Sequence, residues 1–206
     1  MALEQKANAG ALAEYYFGSG QNVRNLVFIG MSPTVRAGIL TNGRLYHNTG
    51  GTAGQLGKLR LAGEGPAGLG KPGTLSGFAS AAGILELARL RYPQHWEDDA
   101  DLFQIIRDAQ NGDPFAQEVF AEAGTQLGRG LAALVHLLQP DVMVIGFPGC
   151  LLDEELLKPA RAALAAATEL ADSALPRLLP SALCARLPEL EAIAPAIHQF
   201  RTQNKE

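Results

Sequence analysis

The sequence predicts an α/β domain in which a mixed β-sheet is flanked by helices, and three stretches carry that prediction. Asn42-Gly43 separates the strand-like run 35–41 from Arg44-Leu45-Tyr46, and Asn-Gly is the dipeptide that best suits a two-residue hairpin, because both residues tolerate positive φ. Val142-Met143-Val144-Ile145-Gly146 is apolar without alternation, the pattern of a strand covered on both faces in a parallel sheet. Between these two, Phe115, Val119, Ala123, Leu127, Leu131, Leu134 and Leu138 recur every three or four residues. That period lines one face of a helix about seven turns long. An antiparallel hairpin and a parallel strand in one chain make the sheet mixed.

The remaining elements follow in order. Residues 2–17 place Leu3, Ala7, Ala11 and the pair Tyr15-Tyr16 at helical spacing and close at Gly18 and Gly20. Residues 22–30 contain Leu26-Val27-Phe28-Ile29, the first strand of a β-meander that the hairpin completes. Residues 50–77 are dense in glycine and poor in charge. They read as low-complexity disorder or as a cofactor or substrate loop, and glycine content does not separate the two. Helices are expected at 79–90 and 99–110, and the long helix opens at Asp113-Pro114, an N-cap aspartate and a first-turn proline. Inside that helix Gly124, Gly128 and Gly130 each cost about 1 kcal/mol relative to alanine. They predict a backbone packed close by, and the helix that contains them is a candidate packing surface between copies of the chain. A helix at 153–170, a strand near 182–187 and a helix at 189–200 complete a β-α-β-α tail.

Composition narrows the function. A chain of 206 residues with 47% hydrophobic and 18% charged residues can bury a full core as one domain. A net charge of −4 without a Lys/Arg stripe argues against direct nucleic-acid binding by this segment. No apolar run approaches the roughly 20 residues needed to span a bilayer. Glu4, Lys6 and Glu14 interrupt the N-terminal stretch, which does not read as a signal peptide. Cys150 and Cys184 are the only cysteines and have no zinc-like spacing, so reduced thiols in a cytoplasmic protein are expected. His47, His95, His136 and His198 have no Ser or Cys at nucleophile spacing, and there is no Gly-x-Ser-x-Gly elbow. His136 reads as helix surface or as a satisfied core residue. The acidic group Glu97, Asp98, Asp99 and Asp101 reads as helix-start charge, with a cation site as the alternative.

Four ordered blocks carry a family resemblance. They are Leu3-Glu4-Gln5-Lys6-Ala7-Asn8-Ala9, Ala37-Gly38-Ile39 through Asn42-Gly43-Arg44-Leu45-Tyr46, Gly50-Gly51-Thr52-Ala53-Gly54-Gln55-Leu56-Gly57-Lys58, and Gln139-Pro140-Asp141 through Ile145-Gly146. In order and spacing they resemble the second lobe of the ROK family of repressors, open reading frames and sugar kinases. The resemblance implies an actin-like, RNase H-like ATPase lobe over residues 1–206, without the first lobe, its Asp-x-Gly phosphate loop or a winged helix-turn-helix.

The resemblance also implies a kinase site, and this sequence departs from it at each part. Phosphoryl transfer to a sugar needs a base on the hydroxyl, a cradle of N–H groups for the phosphates, and a site that holds the sugar in line. The family's Asn-Asp pair, with the aspartate as base, falls on Gln5 and Lys6; an ammonium cannot accept the proton unless burial strips it first. The family's glycine-rich phosphate turn falls on Gly30-Met31-Ser32-Pro33-Thr34-Val35-Arg36, where Pro33 lacks an N–H. Arg36 there is either an anion partner or a solvated turn residue.

The Gly-Glu-x-Gly-His element falls on Gly54-Gln55-Leu56-Gly57-Lys58, so Lys58 stands where the resemblance implies a zinc-binding histidine. The cysteine loop that should follow falls on Gly68-Leu69-Gly70-Lys71-Pro72-Gly73-Thr74-Leu75-Ser76, with Ser76 in place of a sugar-binding glutamate and no thiol for zinc. The adenosine-facing turn is Gly146-Phe147-Pro148-Gly149, where Phe147 crowds a nucleotide or stacks on its base.

The expected protein is thus a ROK-like domain with no catalytic residue, metal or cofactor: the effector and oligomerisation part of a sugar-responsive transcriptional regulator. Its expected ligand is a sugar or sugar phosphate held by Gln5, Asn8, Gln55, Lys58 and Ser76, with Gly146 and Gly149 on the nucleotide side. It is expected to be a cytoplasmic homo-oligomer that touches neither membrane nor nucleic acid itself. The alternative is an ATP-dependent, glucokinase-like lobe with an altered site.

Overall fold

A computed structural model of the chain describes residues 4–48, 50, 52–97 and 99–203. The expected helical start at Ala2 and Leu3, the motif residue Gly51 and the acidic residue Asp98 lie outside the described residues. The first helix, α1 (Lys6–Phe17), precedes three strands, β1 (Leu26–Gly30), β2 (Arg36–Thr41) and β3 (Arg44–Leu45). Helices α2 (Leu75–Ala79), α3 (Ala81–Arg91), α4 (Leu102–Gln110) and α5 (Pro114–Leu138) follow. The tail is β4 (Val142–Ile145), α6 (Lys158–Thr168), β5 (Arg177–Pro180) and α7 (Leu187–Gln203).

The sheet order is β3-β2-β1-β4-β5, and it is mixed as expected. β1 pairs antiparallel with β2, Phe28 opposite Gly38, and parallel with β4, Phe28 opposite Val144. β4 also pairs parallel with β5. The turn joining β2 to β3 places Asn42 and Gly43 at φ 52° and 71°, the conformation that Asn-Gly supplies cheaply.

Side-chain alternation divides the core in two. Val27, Ile29, Met143 and Ile145 face α5, α6 and the helices before them, whereas Leu26, Phe28, Val142 and Val144 face α1 and α7. All four residues of β4 are fully buried, which is why its sequence does not alternate. α1 lies directly on β2, since a Cβ at Gly38 would come within 2.0 Å of the Ala7 carbonyl oxygen.

The glycines of α5 have the close neighbours they predict. A Cβ at Gly124 would meet the Leu156 oxygen at 2.2 Å, and one at Gly128 the Ala160 oxygen at 2.2 Å. Gly130 faces Leu75 of α2. The glycines of this helix are therefore covered by the chain's own residues.

Three expectations need correction. Residues 182–187 are not a strand; the fifth strand lies earlier, and Ser181 Oγ accepts the N–H groups of Leu183 and Cys184, turning the chain there. Pro180 is tolerated because β5 is an edge strand. The helix expected at 153–170 is broken into a π-turn, Asp153–Leu157, and α6, because Pro159 removes a helical N–H. Finally, Cys150 and Cys184 are not free thiols: they form a disulfide. Among the described residues no helix is long and apolar enough to cross a membrane.

Candidate functional site

The main cavity, about 880 Å³, opens where the parallel strands β1 and β4 end, and the Gly146 N–H donates to the Ile29 carbonyl across this end at 2.9 Å. Here the sheet changes from antiparallel to parallel pairing, and the chain leaves adjacent strands in different directions. Such a divergence leaves a crevice that ligands use in open α/β sheets.

Gln5 and Lys6 reach this cavity from the start of α1. Gln5 is extended and Lys6 begins the helix; the Glu4 carboxylate accepts from the Gln5 N–H, the Asn8 amide and His47 Nε2 at 2.7–2.9 Å. Burial works to raise the Glu4 pKa, but these donors together hold it below the ordinary carboxylate value. Asn8 is buried and does not line the cavity; its amide donates to the Glu4 carboxylate. Lys6 is exposed.

Across the cavity stands Glu191 of α7, a residue the sequence reading missed. Burial raises its pKa, and the Lys6 charge opposes that rise. An acidic and a basic side chain thus face one another across this cavity. Its sequence offers no cue, since Glu189 and Glu191 look like ordinary helix-face charge.

The turn between β1 and β2 forms the floor. Met31 is fully buried, its backbone oxygen accepts from the Ala81 N–H, and Pro33 follows a cis peptide and lines the cavity. Opposite is Phe147, whose ring lies 5.4 Å from that of Phe103, and both rings line the cavity beside Leu151. Gly146 lines the cavity, whereas Gly149 does not. A Cβ on Gly146 would meet the Phe28 ring at 2.9 Å, and one on Gly149 the Ile145 side chain at 2.5 Å, so both serve packing. The Cys150–Cys184 disulfide joins the turn after β4 to the segment before α7, and Cys184 lines the cavity.

A second cavity of about 370 Å³ adjoins the first, and Thr34, Arg36 and Gln55 line both. Lys58 and Ser76 line the second. The Ser76 hydroxyl is already engaged, accepting from the Val35 N–H at 3.0 Å. The donor set here, lysine and hydroxyl, does not fit zinc, which needs thiolate, imidazole or carboxylate. Among the described residues no group of three His, Cys, Asp or Glu could hold a metal.

A sequence profile of the ROK family matches residues 1–174. The chain belongs to the ROK family. Its relatives include both of the family's kinds of protein: a glucokinase of Halalkalibacterium halodurans is 31% identical over 171 residues, 77% of this chain and 52% of that one. A putative xylose repressor of a Caldicellulosiruptor species is 30% identical over 168 residues, 75% of this chain and 42% of that one. The chain thus spans about half the length of the relatives it matches. The fold is that of a ROK family glucokinase from Streptomyces griseus solved with glucose and AMPPNP, with a TM-score of 0.83 at 24% identity, covering 95% of this chain and 67% of that one. The mixed, helix-flanked sheet of this ROK chain is therefore the family's actin-like fold.

The other polar candidates have structural partners. His47 pairs with Glu4, His95 with Asp113, and His198 Nδ1 with the Tyr16 hydroxyl at 2.8 Å. His136 is on the helix surface. Asp101 accepts the Gln104 N–H at 2.8 Å as the N-cap of α4, which accounts for its place in the acidic group.

Proposed function

We propose that this ROK chain binds a sugar without phosphorylating it, as the effector part of a sugar-responsive transcriptional regulator. One observation carries the reading: an exposed Lys6 faces Glu191 in the main cavity, at the position of the family's catalytic base, while the amides of Gln5 and Gln55 remain on its wall. An ammonium donates to a sugar hydroxyl and cannot take its proton, whereas amides and a carboxylate hydrogen-bond hydroxyls in the ground state. Pro33 offers no N–H to a phosphate, and the Phe103–Phe147 pair occupies the side a nucleotide would need. Contact with DNA is not assigned to these residues. A cytoplasmic location for the protein rests on its kinship with sugar kinases and repressors, and no longer on its cysteines.

The test pairs two measurements on the full chain. Thermal-shift screening with hexoses should raise the unfolding temperature in a dose-dependent way, because a ligand that binds only the folded state stabilises it. A coupled assay with ATP and the same hexoses should give no turnover. Turnover above background would replace this reading with that of a sugar kinase lobe. Sedimentation would establish whether the chain self-associates.

A further inference from the structure

The second cavity holds a charge imbalance that its neighbours do not relieve. Arg36, Lys58 and Lys71 line it, with Thr34, Thr74 and Ser76 between them, and its lining contains no carboxylate. Other basic side chains find partners: Arg91 pairs with Glu122, Lys158 with Glu154, Arg161 with Asp153, and Arg60 with two carbonyls. Among the described residues the side chains of Arg36, Lys58 and Lys71 make no ion pair or hydrogen bond. Three like charges around one small cavity repel, and an anion relieves that repulsion.

Each cation projects from a fixed piece of backbone. Arg36 opens β2, where its residue pairs with Gly30. Lys58 ends the 3-10 turn Leu56–Lys58, and the Gly57 of that turn is pressed so close to α2 and to the residue before β2 that a Cβ would meet Ser76 Oγ at 2.0 Å and the Val35 oxygen at 2.5 Å. Lys71 precedes α2, and Thr74 Oγ1 donates to its carbonyl at 2.7 Å while accepting from the Gly77 N–H. The hydroxyls of Thr74 and Ser76 thus hold the walls, and the charged groups are what remains for a ligand. An arginine fork with two ammonium groups suits a tetrahedral oxyanion.

We infer that this cavity, in the position where the family resemblance implies zinc, is an anion subsite that takes the phosphate or sulfate ester of a sugar. The sugar itself lies in the main cavity, and Thr34, Arg36 and Gln55, which line both, join the two. The inference rests on the sugar-binding reading above and adds the ligand's charged group.

Calorimetric titration of the full chain with glucose, mannose and N-acetylglucosamine, their 6-phosphates and 6-sulfates, and inorganic phosphate tests it. At least one ester should bind ten-fold or more tighter than its parent sugar, with an advantage that shrinks as salt rises. The ester arms show which oxyanion is taken. Lys58→Gln and Lys71→Gln should each abolish most of that advantage, and Lys71→Gln should leave the parent sugar's affinity unchanged. Lys158→Gln, on a solvated pair elsewhere, should leave both unchanged. Both tested lysines are exposed, so the variants fold. Esters that bind no better than their parent sugars, or variants that lose no more than Lys158→Gln, overturn the inference while leaving the sugar-binding reading intact. Inorganic phosphate that binds through Lys58 and Lys71 without any sugar binding supports the anion subsite and overturns the sugar-binding reading.

Discussion

Gly128→Ala gives the sharpest test of how α5 and α6 are joined. In an open helix this change stabilises by about 1 kcal/mol, the difference in helix propensity. Here the new Cβ would stand 2.2 Å from the Ala160 oxygen and 2.9 Å from the Leu164 nitrogen, both backbone atoms that no rotamer change can move. α6 must retreat by about 1 Å, a gap that forfeits a quarter to a half of each dispersion contact it opens. Leu156, Ala160 and Leu164, each at most 2% exposed, make those contacts. Overpacking of this kind costs about 3 kcal/mol at the upper end of its usual range. After the propensity gain, a net loss of about 2 kcal/mol remains, or a fall of about 4–8 °C in Tm for a chain of this size. Urea unfolding followed by circular dichroism measures it, with an unchanged m-value required for the comparison. Gly63→Ala, with nothing within 4 Å of its Cβ, is the control and should change stability by no more than about 0.5 kcal/mol. Gly124→Ala meets the Leu156 oxygen in the same way, and the double variant should lose less than the two single losses added, because one retreat of α6 relieves both. A Gly128→Ala protein as stable as its parent would refute the close-packed α5–α6 contact.

Further outcomes follow from the same structure. Glu14 is fully buried, with Ser181 and the Ser19 N–H on its carboxylate, and burial raises its pKa despite these donors. A raised folded-state pKa means the native state binds more protons than the unfolded chain, so this group's contribution to stability is present below the ordinary value of 4.5 and is lost as pH rises through the folded pKa. Glu14→Gln should remove that part of the stability slope while lowering stability throughout, and denaturation midpoints across this range that keep the parent's slope would count against it. Reducing the Cys150–Cys184 bond, which closes a separation of 34 residues, should lower stability by about 3–4 kcal/mol through loop-closure entropy, read as a shift in urea midpoint between oxidised and reduced protein. Restoring the family pair with Gln5→Asn and Lys6→Asp should yield no ATP-dependent sugar turnover, because Pro33 and Phe147 remain in the cavity; turnover would show that the base alone was missing.

What the sequence determined by itself was local. The hairpin is legible because Asn42 and Gly43 accept positive φ. The start of α5 is legible because Asp113 caps the Ala116 N–H and Pro114 needs none, and β4 because full burial removes polar alternation. Of the residues that the resemblance singles out, Gln5, Lys6 and Gln55 line the main cavity, and Gln55 and Lys58 line the second. Tertiary structure alone decided which groups meet. Nothing along the chain places Glu191 near Lys6, joins Cys150 to Cys184, turns Asn8 toward Glu4, or gathers Arg36, Lys58 and Lys71 around one cavity. The glycines of α5 announced a close neighbour, but only the fold shows that the neighbour is the chain's own α6. Periodicity, caps and turns are set by residues a few positions apart, whereas a site is made by side chains that distant elements bring together, and their charges and volumes act only once the sheet has set the distance between them.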